Sequence, residues 1–505
     1  MSSPIKKLAG QTAVYGVSSI AARLVNYLLI FVYTRVFLPD QYGVIGELYA
    51  YVSFMNIIFT YGMETSFFRF YISEPNKKVV VDTSMVSIIL STILFTGLMI
   101  WLAQPIANVL KYANHPEYVT WFAIIIGLDA ISRIPFAKLR QLNRPVKYAT
   151  FQVINICINV AFNLFYLLLC PFLIKSQTFA WTHGFISLVF NPKAATDNDL
   201  LIGYVFIANL IASAITLLML LPEVFTTTIE FSKKLWLRIM DYTLPLIIVG
   251  LAGMVNETID RILLKFYLPL PMNEVHAQIG IYSANYKLTL LITLFVQAYK
   301  MAAEPFFFNQ SKEKDAKAVY GLSMKYFILI CLAIFLMITL YIDVFKYIIA
   351  PDYFVGLKVV PILLLANLFL GVYYNLSIWY KLTDKTRTGL WVALGGAVVT
   401  LIINIGFIPK YGYMASGWAT FICYGSMMVA SYVIGQIYYP VNYHLKQIFY
   451  YSLFAIVLFF ISSKLIEPMP INHFVMFALN SILFLSFVVT IYVMEFRKQL
   501  EREHI

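Results

Sequence analysis

Long apolar runs alternate with short polar stretches along the whole chain. Each run is long enough to cross a bilayer as one helix, which needs about 20 residues. The runs are continuous rather than alternating apolar and polar, so they favour helices over the strands of a barrel. The predicted spans are 11–36, 43–68, 79–102, 118–138, 148–171, 200–222, 243–266, 279–303, 322–342, 357–380, 389–408, 413–435, 446–463 and 472–494. The pattern predicts an all-α polytopic membrane protein with about fourteen transmembrane helices.

Composition supports this class. The chain is 61% hydrophobic and 12% charged, whereas soluble domains average about 25% charged residues. Its formal net charge of +12 would suggest nucleic acid for a soluble protein. Here the excess fits cytoplasmic loops rich in Lys and Arg, so we expect no nucleic-acid partner. The cysteines have no metal-ligand or CxxC spacing, which predicts neither a metal site nor a disulfide. They are Cys157, Cys170, Cys331 and Cys423.

The distribution of basic residues predicts the orientation. With the N-terminus inside, the inner loops hold 23 of the 37 Lys and Arg residues, the outer loops hold 7, and 7 lie within spans. Cytoplasmic loops carry such an excess. We therefore expect a membrane protein with both termini in the cytoplasm.

Three short patterns recur about six spans apart. An even offset gives both copies the same orientation, which is typical of parallel repeats with a substrate site between them. The pairs are 35–39 with 265–269, 64–68 with 304–308, and 141–147 with 381–387. The predicted organisation is an N-lobe at 1–222 (spans 1–6), a C-lobe at 223–435 (spans 7–12), and 436–505 with spans 13 and 14 and a cytoplasmic tail. The two six-helix lobes are expected to be pseudo-symmetric.

The seventh span carries an unusual polar stripe. Glu257, Arg261 and Lys265 follow one another at intervals of four residues, and Asn256 and Asp260 lie beside them, so they share one helix face. An unpaired charge near the bilayer centre costs about 2.5–3.5 kcal/mol on insertion scales. The stripe is therefore expected to face other helices or a wet cavity, and to mark a functional site. The alternative is a Glu257–Arg261 pair that only holds the helices together.

Other spans also contain charged and polar groups. Fixed cations in excess favour an anionic ligand, and the planar guanidinium suits phosphate. A lipid diphosphate would place its head in a wet cavity and its tail in the bilayer. The candidate substrate-binding residues are Arg23, Asn26, Arg133, Arg261, Lys265, Lys287 and Lys300. The candidates for ion coupling or gating are Glu64, Asp129, Glu257, Asp260 and Glu304.

Structural roles compete with these assignments. Lys265 lies near the outer interface, where long side chains extend to water. Arg133 and Lys300 each have an acid one turn away, so pairing explains them equally well. Asparagines at 155, 159 and 163 are expected to hydrogen-bond between helices.

Six stretches together match a known pattern. They are Arg35–Pro39 with Tyr42-Gly43, Thr60–Glu64 with Arg69-Phe70, Pro135–Ala137 with Leu139-Arg140, Asn256 with Asp260-Arg261, Tyr282–Lys287, and Ala303–Phe307. In these residues and its span count the chain resembles the polysaccharide and oligosaccharide-lipid flippases of the multidrug/oligosaccharidyl-lipid/polysaccharide (MOP) exporter superfamily, which includes O-antigen flippases of lipopolysaccharide synthesis.

The resemblance implies two six-helix lobes in a V around a cationic cavity, with two further helices. It implies a non-enzymatic flippase that moves undecaprenyl-diphosphate-linked oligosaccharide to the periplasmic leaflet by alternating access. Its cavity cations correspond to Arg23, Arg133, Arg261 and Lys287. The implied partners are the lipid-linked oligosaccharide, membrane lipids, and the polysaccharide polymerase and chain-length machinery. No cofactor is expected, and coupling to H⁺ or Na⁺ would use the acids named above, because the first span has none.

Two alternatives remain open. A peptidoglycan-precursor flippase of the same fold would have similar cations. A membrane-embedded polysaccharide polymerase or ligase would need a large outer loop with acid and base residues. The longest outer loop, roughly 175–199, has one histidine, His183, and the acid pair Asp197 and Asp199.

The aromatic residues of this loop predict a short segment that lies in the membrane interface.

Overall fold

The structure is a computed structural model that describes residues 25, 27–142, 144–224, 230–311, 313–383, 385–470 and 472–497. Within these ranges every regular element is a helix. Twelve helices are long and apolar enough to cross a membrane, or 13 if one bent pair counts as a span. The described part of the first helix is too short for that test, so the number fourteen stays a prediction. The all-α polytopic fold class is confirmed.

The helices follow the predicted spans closely. In chain order they are α1 Tyr27–Val36, α2 Pro39–Ser73, α3 Lys77–Trp101, α4 Pro116–Gln141, α5 Pro145–Lys175, α6 Asn198–Val224, α7 Lys233–Tyr267, α8 Met272–Lys287 with Leu290–Gln310, α9 Ala316–Leu340, α10 Pro351–Leu382, α11 Arg387–Tyr411, α12 Tyr413–Tyr438, α13 Leu445–Ile466 and α14 His473–Glu495. Proline occupies the first position of α2, α4 and α5, where its missing N–H has no helical partner to lose.

Two helices are interrupted. In α2, Tyr61 and Gly62 have φ of 35° and 73°, a left-handed conformation that glycine adopts without strain. The helix restarts at Met63. In α8 the two segments meet at 56°. There the amides of Leu288 and Thr289 bond three residues back rather than four, which tightens the helix end. The uninterrupted span predicted at 279–303 is therefore wrong.

Internal contacts divide the chain into two compact units. The first unit comprises 1–266 and 270–280, and the second comprises 267–269 and 281–505. Most of α7 and the start of α8 thus pack with the first unit. The predicted lobes were drawn from the sequence repeat rather than from contacts, so their boundaries remain a prediction.

The core of the first unit includes a cluster where α2, α3, α4 and α7 meet. Phe67, Ile88, Ile134 and Ile239 are each at most 1% exposed there. The asparagines of α5 tie this unit together as expected. Asn155 donates to Thr216 of α6 at 2.7 Å, and Asn163 accepts from Tyr33 of α1 at 2.9 Å.

Salt bridges join the α2–α3, α4–α5 and α6–α7 loops at one end of the first unit. Lys78 pairs with Glu230 at 2.8 Å, and Arg238 pairs with Glu74 at 2.7 Å. The hydrogen bond and charge of Lys78 lower the pKa of Glu230. We call this the inner end, after its predicted side. With the Lys147–Glu223 pair at 2.9 Å, three alternate loops lie at one end, as a helix count that alternates across a membrane requires.

In the second unit, α10, α11 and α12 share a core that contains Tyr373, Val392 and Tyr424. The last two helices pack on α9 through buried polar contacts. Lys325 of α9 pairs with Glu495 of α14, and Asn480 of α14 donates to the Leu340 carbonyl at 2.7 Å.

The segment between α5 and α6 is folded rather than extended. It contains short helical turns at Gln177–Thr182, His183–Ile186 and Pro192–Ala195. Trp181 and Leu188 are 82% and 78% exposed, whereas Phe190 is buried. Exposed aromatic and apolar side chains beside buried ones fit the predicted segment in the membrane interface.

Candidate functional site

The polar stripe of α7 centres on Arg261 and Asp260. Arg261 Nη1 donates to Asp260 Oδ1 at 3.0 Å and to the Glu257 carbonyl at 3.2 Å. The side chains of Arg261 and Asp260 are 13% and 5% exposed. A charged guanidinium is therefore held within a membrane-spanning helix with its counter-charge beside it, which lowers the free energy of keeping it ionised there.

Arg261 forms a salt bridge with Asp260, the residue before it, and the side chain of Glu257 is exposed. The alternative Glu257–Arg261 pair stays a prediction. Asn256 is 6% exposed. The stripe thus has a buried edge at Asn256 and Asp260 and an exposed edge at Glu257.

Lys265 lies in a different environment from the rest of the stripe. Its side chain and that of Glu47 on α2 are completely buried, and Lys265 Nζ lies 2.8 and 3.0 Å from the two Glu47 oxygens. Lys265 Nζ is also 3.7 Å from the centre of the Tyr112 ring. Lys265 therefore faces another helix, which is one of the environments predicted for the stripe, and it does not extend to the interface.

Two more side chains complete this cluster, which we call the buried quartet: Glu47, Lys265, Tyr112 and His276. Tyr112 Oη donates to Glu47 Oε2 at 2.7 Å, and His276 Nε2 lies 3.2 Å from the same oxygen. The Tyr112 and His276 rings are stacked at 6°. Burial, together with the charge of Glu47, raises the pKa of Tyr112 well above its usual value, so this phenol remains a neutral donor.

A cavity of about 270 Å³ adjoins the quartet. We call it the outer cavity, because its lining comes from the loops and helix starts that are predicted to lie outside. The lining residues are Asp40, Gln41, Val44, Tyr112, His115, Tyr118, Asp199, Ile202, Asn273 and His276. Tyr112 and His276 belong to both the cavity and the quartet, so these two side chains connect the buried ion pair with the cavity.

The other predicted residues of the first unit are distributed along it. Arg133 is exposed on α4, and Asp129 one turn earlier lies against Ser213 of α6 within electrostatic range of Arg133. Glu64 forms an ion pair with Arg140 at the inner end of α2. This ion pair links α2 to α4 at the inner end of the first unit.

In the second unit, Lys287 is exposed where α8 is interrupted. Lys300 lies over the Tyr374 ring at 4.0 Å and lines a cavity of about 20 Å³, roughly the size of one water, beside Tyr299 and Lys381. The side chain of Glu304 and the residues Arg23 and Asn26 lie outside what the structure describes. The predicted convergence of cations from both repeats on one chamber stays a prediction.

Sequence reasoning missed His276 and Tyr112 and did not place Glu47 in a site. His276 precedes the predicted eighth span, which begins at 279, and Tyr112 is in a loop. The signal for Glu47 is present in the sequence, since it is an acid at a depth in the second span that matches the depth of Lys265 in the seventh.

The comparisons with known proteins bear on the family. The profile described as "Polysaccharide biosynthesis protein" matches residues 8–311, more than half of the chain. The chain belongs to this polysaccharide biosynthesis family. No curated protein sequence matches it at a significant level.

Solved structures show the fold of this family member. An inward closed form of the lipid II flippase MurJ aligns with a TM-score of 0.68 at 14% identity, covering 95% of this chain and 98% of its own. Inward-facing and outward-facing forms of a multidrug resistance MATE family transporter of the MOP superfamily align at 0.59 and 0.60. Each is 12% identical; they cover 84% and 86% of this chain, and 93% and 95% of their own chains. The protein is thus a multi-pass membrane protein with the MOP fold. Its neighbours are transporters and flippases rather than enzymes, as predicted.

Proposed function

We propose that this protein is a flippase for undecaprenyl-diphosphate-linked oligosaccharide. It moves this lipid from the cytoplasmic to the periplasmic leaflet of the bacterial inner membrane by alternating access, and so supplies cell-surface polysaccharide synthesis. Membership of the polysaccharide biosynthesis family and the MOP fold support this class of function. The observation that carries the proposal is the Arg261–Asp260 pair within α7.

The chemistry of the head group explains the role assigned to Arg261. A diphosphate presents several acceptor oxygens with delocalised negative charge, and guanidinium forms paired, charge-assisted hydrogen bonds with such oxygens. Arg261 Nη1 donates to Asp260 Oδ1 at 3.0 Å, so a diphosphate would compete with this carboxylate for the guanidinium. Arg133, Lys287 and Lys300 supply further positive charge, whereas the pairing of Lys265 with Glu47 argues against Lys265 as a ligand.

Lipid binding by the purified protein tests the proposal. We expect undecaprenyl diphosphate to bind more tightly than undecaprenyl phosphate, and Arg261→Ala to weaken diphosphate binding. A hydrogen bond to a charged group contributes about 1.5–3 kcal/mol, or roughly ten-fold or more in Kd. Lys410→Ala is the matched control, because it removes an exposed positive charge near the end of α11. Native mass spectrometry or fluorescence titration in nanodiscs provides the measurement.

Translocation is measured in parallel with a fluorescent undecaprenyl-diphosphate disaccharide in proteoliposomes, using a quencher that cannot cross the membrane. Wild-type protein should expose label from the inner leaflet, and Arg261→Ala should slow this several-fold. Equal binding of mono- and diphosphate lipids, or full translocation by Arg261→Ala, would remove Arg261 from the substrate site.

A second candidate is a peptidoglycan-precursor flippase. It is favoured by the alignment with the lipid II flippase MurJ over 95% of this chain. The undecaprenyl diphosphate group is common to both substrates, so the glycan distinguishes them. Rescue of cells depleted of their lipid II flippase would support this candidate, whereas rescue only of cells that lack an O-antigen flippase would support the first.

A further inference from the structure

The buried quartet is not part of the proposed substrate site. Its charged groups are buried, where a change in the charge of a neighbouring group alters their free energy most. Lys265 and Glu47 are completely buried, so their opposite charges cancel within a dry environment. In such an environment an additional charge interacts far more strongly than it would in water. The state of His276, 3.2 Å from Glu47, therefore decides whether the quartet is neutral or carries one excess positive charge.

The hydrogen bonds identify which nitrogen of His276 changes state. Tyr112 Oη gives its proton to Glu47 Oε2, and an ionised carboxylate has only acceptors. His276 Nε2 faces both of these oxygens, at 3.2 Å from Glu47 and 3.3 Å from Tyr112, so Nε2 must carry a proton and donate it. A second proton is consequently taken up at Nδ1, which converts the neutral ring to imidazolium.

Water can supply that proton from one side. The imidazole of His276 is 11% exposed, whereas Glu47 and Lys265 are not exposed at all. Its neighbour is the outer cavity, whose carboxylates Asp40 and Asp199 favour a positive charge. Imidazole is the side chain that ordinarily changes charge between about pH 5 and pH 8. Protonation is thus reached through the outer cavity.

The same helix that carries His276 makes an unusually close contact with α2. A Cβ atom built on Gly43 of α2 would overlap the carbonyl oxygen of His276, and one built on Gly280 of α8 would overlap the carbonyl oxygen of Pro39. The two backbones touch at both places, so nothing else fits between them. A movement of the α8 backbone that takes His276 away from Glu47 therefore separates α8 from α2.

We propose that the buried quartet is a proton-binding site of the transporter, in which protonation of His276 weakens the contact between α8 and α2 and opens the outer end of the first unit. With His276 neutral, Lys265 and Glu47 balance and the contact is closed. With His276 charged, two cations face one carboxylate, and the imidazolium gains by moving into the hydrated, acidic outer cavity. The proton stays on His276, and no bond other than N–H is formed.

Linkage gives the direction of the pH effect. The open form binds the proton more tightly than the closed form, so lowering the pH shifts the population toward the open form. The charged and titratable groups that face His276 or its contacts are Glu47 and Tyr51 on α2, Tyr112 and Lys111 in the α3–α4 loop, Lys265 on α7, and Asp40, His115, Tyr118 and Asp199 around the cavity. The inference rests on the proposed function only in treating this opening as a step of transport.

The test measures the α2–α8 distance by double electron–electron resonance in nanodiscs without substrate. Spin labels are placed by Leu38→Cys and Leu270→Cys, both exposed, in a Cys157→Ala background, because the other three cysteines are buried. We expect one short distance at pH 8 and a second, longer population at pH 5.5. His276→Gln, which retains a donor but cannot gain the charge, should lose the longer population.

His115→Gln is the matched control. His115 lines the same cavity and pairs with Glu117 at 2.8 Å, but its side chain is 45% exposed and it does not contact Glu47. The pH response should survive in this variant. If His276→Gln does not fold, His276→Phe replaces it, because it keeps a ring stacked on Tyr112 and cannot gain a proton. The same loss of the longer population is expected. A distance distribution in wild-type protein that is the same at both pH values, or a response that survives the loss of His276, overturns the proposal.

Because the nanodiscs contain no undecaprenyl lipid, the experiment fails or succeeds independently of the proposed substrate. Loss of diphosphate binding in Arg261→Ala together with a pH-independent distance would retain the flippase and remove the proton site. The opposite pair of results would retain the proton site and remove the flippase.

Discussion

The side chains of Lys265 and Glu47 are completely buried, and each is the other's counter-ion. Tyr112 and His276 supply further hydrogen bonds to the same carboxylate. Removing one member of a buried pair leaves an uncompensated charge, whereas replacing both by groups of similar shape removes the problem. The energetic importance of Lys265 therefore depends on whether Glu47 is still present.

This leads to a prediction for stability. Lys265→Met should lower the free energy of unfolding by about 3–5 kcal/mol, the usual effect of breaking a buried pair. The double variant Glu47→Gln with Lys265→Met should recover most of that loss. Thermal unfolding of purified protein in detergent, with substrate absent, measures both. A single variant as stable as wild type would mean that the pair is solvated in the membrane.

Sequence predicted that Arg261 and Lys265 matter but not how they differ. Both lie on one face of α7 because they are four residues apart. Their partners depend on packing, since Glu47 is 218 residues from Lys265 and no local rule connects them. Periodicity locates a charge within a helix, whereas the tertiary fold decides which charge opposes it.

At the scale of helices, α2 and the first segment of α8 approach each other very closely in the first unit. This contact depends on Gly43 and Gly280, each of which lies against the backbone of the other helix. Small residues allow such approaches in membrane proteins, where packing and hydrogen bonds replace the hydrophobic effect between helices. A single added methyl group at either position would have no space.

Matched glycine substitutions test this contact. Gly280→Ala should separate α8 from α2, lower the unfolding temperature and lengthen the 38–270 spin-label distance at pH 8. Gly97→Ala on α3 has open space around the added Cβ, so it should be neutral or stabilise by up to about 1 kcal/mol, because alanine favours helix more than glycine. Equal effects of the two substitutions would show that the close α2–α8 contact is not formed.

The limits of most helices could be read from apolar length, and prolines at helix starts agree with them. The interruption in α8 could not, because neither Leu288 nor Thr289 is a helix-breaking residue. Beside the break, the side-chain amide of Asn285 donates to the Tyr353 carbonyl at 2.9 Å. A long-range polar contact therefore accompanies a bend that local propensity does not predict.

For the whole molecule, sequence and structure agree on the membrane class, and within the first unit three alternate loops lie at one end. The inner end carries salt bridges such as Lys78–Glu230, and the outer cavity gathers acidic residues and histidines. The two units follow the contacts between helices, whereas the predicted lobes follow a sequence repeat. The two divisions therefore need not coincide.

Orientation is the property of the whole molecule that the loop charges predict most directly, since basic residues are retained in the cytoplasm. Single cysteines in the Cys157→Ala background report it. Leu188→Cys between α5 and α6 and Tyr347→Cys between α9 and α10 are 78% and 63% exposed in wild-type form. Both should react in intact spheroplasts with a maleimide that cannot cross the membrane. Ser73→Cys at the inner end of α2 should react only after permeabilisation. Labelling of Ser73→Cys in intact spheroplasts, with protection at the other two, would reverse the orientation, and the outer cavity would then receive its proton from the cytoplasm.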